Sequence, residues 1–275
     1  MTTRLFLSAL CFTAMLLAQS ASAEELRPFH VQYRLYVSKI PTTIKADLWL
    51  RETENSDEYE MEMNVKSFLV KNTEKSRFTW KDCHPRTSEY QHSFRGFGKR
   101  RNHDMTFSWS PPQVISKEAK ETHTLKIEED TLDDLTILLK ARCVFATGDK
   151  EFNATSAYGD RLREQHMQVI GREELDTPLG KLDTLLVEKK RGKDSERRTL
   201  FWIAPKLNYM LVRAKHIENR ALFGELIMRD YDGPLVNKTI NPLIDDESAA
   251  QQTAEESTTR KTSEETDAKG STEGS

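Results

Sequence analysis

Two runs of basic residues are the part of this sequence best suited to holding a ligand. Arg95, Lys99, Arg100 and Arg101 surround Gly96 and Gly98, with Phe94 and Phe97 interleaved. Lys189, Lys190 and Arg191 precede Lys193, and Arg197 and Arg198 follow. Guanidinium and ammonium groups recognise phosphate and carboxylate, and aromatic rings among them add stacking surface. Both runs flank expected hairpins, so the plain alternative is two solvated hairpin ends. If both line one rim of a sheet, they form a surface for anionic groups.

Other chemistry is sparse. The seven histidines are His30, His84, His92, His103, His123, His166 and His216. None shows the spacing of a zinc-protease helix or another strong metal site, so no metal and no cofactor is expected. No Gly-x-Ser-x-Gly elbow, phosphate loop or dinucleotide fingerprint occurs. Asp133 and Asp134 are adjacent carboxylates, but acids at a helix N-terminus already have a role with the helix dipole. Asp160 beside Arg161 and Arg163 reads as a surface ion pair. No nucleophile–base set stands out, and no catalytic residue is named.

The elements that would position these groups are mostly strands. Phe29, Val31, Tyr33, Leu35 and Val37 alternate with polar neighbours. The same period of two recurs in Ile44–Leu50, Tyr59–Val65, Ser76–Trp80, Tyr90–Phe94, Met105–Trp109 and His123–Ile127, and again from Leu182 to Tyr231. Such one-sided alternation suits antiparallel strands with one wet face. One segment breaks the period. Thr131 to Asp134 has the form of a capping box, with an acid at its third helical position. Leu132, Leu135, Leu138, Leu139 and Cys143 then follow helical spacing, and Gly148 offers a stop. The spacing predicts one helix of about 15 residues among about ten to twelve strands. The expected fold is mainly β: a curved antiparallel sheet or open β-barrel with one packed α-helix.

Compartment follows from the ends of the chain. Arg4, the apolar run Leu5–Leu17 and the small residues Ala21-Ser22-Ala23 make a three-part secretory signal, cleaved after residue 23. The run is too short to span a bilayer, so no transmembrane anchor is expected. Residues 244–275 form an acidic Ser/Thr/Glu-rich tail with too little apolar surface to fold. The chain carries 41 Lys+Arg and 44 Asp+Glu, net −3. That acidity belongs to the tail, so the single β-rich domain of residues 24–243 is near neutral, and bulk charge makes no case for nucleic acid. Cys83 and Cys143 remain after signal cleavage. An oxidising compartment permits a bridge between them, and two separate buried thiols are the alternative. The expected location is the bacterial periplasm.

Particular residues carry a resemblance. Thr177-Pro178-Leu179-Gly180-Lys181-Leu182-Asp183-Thr184 precedes a strand and is followed by Leu200-Phe201-Trp202-Ile203-Ala204-Pro205 and Leu211-Val212-Arg213. Upstream stand Ser76-Arg77-Phe78 and Met105-Thr106-Phe107-Ser108-Trp109. This order resembles an exported bacterial family known only as domain of unknown function number three thousand one hundred and eight. Met210-Leu211 stands where the family carries a proline. The resemblance implies a periplasmic β-rich domain and supplies no activity.

Three functions are open. The first is a non-catalytic binding or carrier protein for an apolar or anionic envelope ligand, with a lipid or other envelope component as partner. The second is an envelope scaffold or interaction protein without a small ligand. The third is a hydrolase with a dispersed site.

Overall fold

The computed structural model describes residues 26–235, except 39–42, 56, 97 and 191–196. The signal segment, the acidic tail, Phe97 and Arg191 lie outside the described residues.

The strands are β1 (Phe29–Val37), β2 (Ile44–Glu52), β3 (Glu58–Lys66), β4 (Val70–Lys81), β5 (His84–Gly96), β6 (Lys99–Trp109), β7 (Pro112–Glu118) and β8 (Glu121–Lys126). The helix α1 (Thr136–Ala146) follows. Then come β9 (Glu151–Tyr158), β10 (Arg161–Thr177), β11 (Gly180–Lys189), β12 (Arg198–Ala204), β13 (Met210–Asn219) and β14 (Leu222–Asp232). All fourteen form one antiparallel sheet, ordered β8 back to β1, then β14 back to β9. β1 pairs with both β2 and β14, so the two ends of the described chain are zipped together. β8 and β9 are the two edge strands, and the sheet curves like a barrel without closing.

The curvature buries one face. Val31, Tyr33, Ile44, Leu48, Leu50, Phe78 and Tyr90 are almost fully shielded. α1 links the two edges and has apolar residues on two sides. Leu135 and Leu139 join the main cluster. Ile137, Ala141 and Phe145 meet Phe152, Leu185, Val187 and Ile203 in a second. Burying a Leu or Phe side chain contributes about 2 kcal/mol each, so both clusters hold the helix in place.

The helix has 11 residues, shorter than the spacing predicts, and Thr131 is not its cap. Residues 131–133 are drawn instead onto the edge of β9. Leu132 donates its N–H to Thr155 O at 2.9 Å and accepts from Ala157 N–H at 2.8 Å. Asp133 takes over the capping work. Its Oδ1 accepts the N–H groups of Leu135 and Thr136 at 2.7 and 2.9 Å. Its Oδ2 accepts the hydroxyls of Ser76 and Thr87 at 2.7 and 2.5 Å. One carboxylate thus ties the helix start to β4 and β5. A disulfide between Cys83, in the turn between those strands, and Cys143 ties the helix again.

Fourteen strands exceed the expected number because several hairpins turn without the usual glycine or proline. Between β7 and β8 the turn uses Ala119 at φ 47°, a conformation that L residues seldom adopt.

Candidate anion-binding site

An antiparallel meander places alternate turns at opposite ends. The turns that follow β1, β3, β5, β7, β9, β11 and β13 share one end. The described residues of both basic runs therefore fall at the same end of the sheet.

The β5–β6 hairpin supplies most of the charge. Its tip contains Gly98 at φ 72°, and a Cβ there would meet nothing within 4 Å. Arg95, Lys99 and Arg100 are exposed and line a concavity of about 550 Å³ with Ser67, Phe68, Leu69 and Lys71 from the neighbouring β3–β4 turn. Arg95, Lys99 and Arg100 make no ion pair with any described residue. Ser67 Oγ accepts the N–H groups of Leu69 and Val70, at 3.1 and 3.0 Å, which fixes the turn that presents Phe68. Phe68 is 86 % exposed. Arg101 lies on the inward-facing register of β6, opposite Phe94.

The second run is arranged differently. Lys189 is half-buried and its ammonium donates to Gln165 Oε1. Lys190 is exposed, and its backbone N–H donates to His166 O at 2.8 Å. Arg197 pairs with Glu218 at 2.5 Å and Arg198 with Glu188 at 2.7 Å. Those two charges are neutralised locally, so the uncompensated positive charge concentrates at the first hairpin.

A buried polar cluster lies below the basic end, and the sequence offers no pattern for it. Its members are far apart in the chain and meet only through strand register. Glu74, His92 and His103 are successive cross-strand partners on the inner face. Tyr90 donates its hydroxyl to Glu74 Oε2 at 3.0 Å, and His92 Nε2 meets Asn72 Oδ1 at 2.8 Å. The His92 and His103 rings touch edge to face at 4.7 Å, and His103 meets Tyr158 at 4.8 Å. The Arg163 guanidinium stacks on Tyr158 at 3.3 Å. Burial, then the neighbouring His92 and Arg163, holds His103 down to about 4. Burial also lowers His92, and Arg101 adds to that while Glu74 opposes it. Asp134 is pushed up to about 7, chiefly by burial and by Glu74, with Arg163 opposing. His92 Nδ1 and His103 Nε2 are buried without a hydrogen-bond partner among the described residues. The contact of His103 with Tyr158 joins β6 to β9 across the open seam. At its mouth a Cβ on Gly159 would collide with the Glu118 carboxylate, so the tips of two hairpins are in contact.

One hydroxyl–imidazole–carboxylate chain lies elsewhere. Thr199 Oγ1 meets His216 Nδ1 at 2.8 Å, and His216 Nε2 meets Glu218 Oε2 at 3.3 Å. It sits on an open strand surface, and none of the concavities described here is lined by it. Among the described residues no group of three His, Cys, Asp or Glu side chains is placed to hold a metal ion. No described helix is long and apolar enough to cross a membrane.

A solved structure with a similar fold is the β-barrel-like protein of the domain of unknown function DUF1849 from Brucella abortus. It is 12 % identical, with a TM-score of 0.50, and the match covers 78 % of this chain and 100 % of that one. At that identity the likeness concerns the fold alone. No curated protein matches the chain. The family model described as "Protein of unknown function (DUF3108)" matches residues 32–224, which include the basic hairpin, the buried cluster and the helix. The chain belongs to the DUF3108 family of proteins of unknown function.

Proposed function

We propose that this is a non-catalytic binding protein of the bacterial periplasm that takes an anionic, phosphate-bearing envelope ligand at its basic end. One observation carries the reading. Arg95, Lys99 and Arg100 line a single concavity without an ion-pair partner among the described residues. Cations left unneutralised around a recess attract phosphate through charge-assisted hydrogen bonds. The secretory pattern at the N-terminus supports the location. An apolar cargo fits less well. The apolar cavity beside α1, lined by residues such as Leu138, Met167, Phe201 and Met210, is about 40 Å³. That is room for about one water molecule.

Calorimetric titration with inorganic tripolyphosphate tests the reading. Binding should weaken by about tenfold or more when Lys99, Arg100 and Arg101 are reversed to Glu. Unchanged affinity in that variant overturns the proposal. The nearly filled interior favours a second reading, an envelope interaction protein without a small ligand. That reading expects no tripolyphosphate binding by the unaltered protein and no small molecule retained in native mass spectrometry.

A further inference from the structure

On the outer face of the sheet, near the basic end, six basic side chains stand in one cross-strand row. The register pairs Arg34 with Lys45, Lys45 with Lys66 and Lys66 with Lys71. It continues from Lys71 to Arg95 and from Arg95 to Arg100. Directly opposed residues of an antiparallel pair share a face, and neighbouring strands are about 4.8 Å apart, so the row spans about 24 Å across the sheet. None of the six has an ion-pair partner among the described residues.

Like charges directly opposite one another destabilise a sheet. The same strands avoid this near their other end. There Arg51, Glu60, Arg77 and Glu89 are successive partners with alternating sign. Arg77 pairs with both Glu60 and Glu89 at 3.5 Å. Solubility alone would be served equally well by the alternating pattern. A continuous positive row instead matches a counter-charge from outside the molecule.

The apolar residues at this end identify the kind of surface. Phe68 projects from the β3–β4 turn, at the middle of the row, and is 86 % exposed. Tyr36, Leu222 and Phe223 are exposed at the same end of β1 and β14. Ser38 accepts the N–H of Phe223 and donates to Ala221 O, holding these strand ends side by side. The opposite end exposes Leu179 and Leu235 but is acidic in its first turn, with Glu52, Glu54, Asp57 and Glu58. Apolar tips with a basic belt behind them fit a bilayer, where rings enter the headgroup–acyl boundary and cations meet the phosphates. A free polyanion would use the belt and leave the tips in water.

We infer that this end docks on the surface of an anionic lipid bilayer. Phe68 enters the interface, and the row Arg34, Lys45, Lys66, Lys71, Arg95 and Arg100 faces the headgroups. The inference rests on the anion-binding reading of the same end and names its partner.

Co-sedimentation of the purified protein with vesicles tests it. Vesicles of phosphatidylglycerol and phosphatidylcholine in equal parts should bind about tenfold or more tightly than pure phosphatidylcholine, and binding should fall steeply with salt. The double variant Lys66→Glu/Lys71→Glu should lose about tenfold or more. Lys206→Glu, the same change on an exposed residue at the acidic end, should lose nothing. Phe68→Ser should weaken vesicle binding. Equal binding to both vesicle types, or full binding by Lys66→Glu/Lys71→Glu, overturns the inference. Tripolyphosphate binding without vesicle binding overturns it while the anion-binding reading stands. Binding of neither probe overturns both.

Discussion

Lys66 and Lys71 face each other directly across the β3–β4 hairpin, with no acid between them and no ion-pair partner in the described chain. Their repulsion is a stability cost that the fold retains. Lys66→Glu converts the pair to opposite sign and should stabilise the protein by about 0.5 kcal/mol in low salt. The gain should vanish near 1 M salt, where the screening length is about 3 Å. Urea midpoints at the two ionic strengths measure it. A gain independent of salt would show that the repulsion is not its source.

Asp133 holds the helix, β4 and β5 through four hydrogen bonds to one carboxylate. Asp133→Ala leaves two hydroxyls and two helix N–H groups without that acceptor, in a place with no water access. The expected loss is about 3–5 kcal/mol. Thr87→Ser keeps the hydroxyl and should lose about 1 kcal/mol or less. Chemical denaturation of both variants checks the ranking.

Asp134 and His103 give opposite pH dependences. Asp134 is raised from 3.8 to about 7. Between those values the folded protein keeps a proton that the unfolded chain has released, so this contribution to stability is lost as pH rises. Asp134→Asn should therefore become more stable relative to the parent as pH climbs from 4 to 7, and level off above. His103 is lowered from 6.5 to about 4. Over that window the unfolded chain takes up a proton that the folded one refuses, so stability is lost as pH falls. His103→Gln should blunt the loss of stability between pH 6.5 and 4. Midpoints of unfolding across this range decide both signs.

Reduction of Cys83–Cys143 opens a loop with a sequence separation of 60. In the chain-entropy treatment this removes about 4 kcal/mol. The Cys83→Ser/Cys143→Ser variant should unfold at lower urea and lose sensitivity to reductant. An unchanged midpoint would mean that Asp133 and the apolar clusters alone fix the helix.

The sequence exposes the parts of this architecture that depend on local pattern. Period-two alternation identifies Phe29–Val37 and Ile44–Leu50 as strands with one buried face, because each buried position is two residues from the next. The basic hairpin at Arg95–Arg101 is legible for the same reason, since its glycines and charges are contiguous. The basic row is not. Arg34 and Lys45 become neighbours of Lys66 and Lys71 only once register is set, and register depends on turns whose lengths no composition reveals. The buried cluster is hidden in the same way, with His92 and His103 separated by a hairpin and Arg163 on another strand. The helix start misleads because Thr131 has the residue type of a cap, whereas tertiary pairing with β9 passes that role to Asp133.

The claim that the basic end is the binding end can be tested by depth. Nitroxide labels are placed singly at Phe68→Cys and at Glu54→Cys, which lie at opposite ends of the sheet. Each protein is then mixed with phosphatidylglycerol-containing vesicles. The label at 68 should gain contact with dissolved oxygen and lose contact with a water-soluble nickel complex, while the label at 54 should be unchanged. Equal response at both positions, or protection at 54 alone, would contradict that claim.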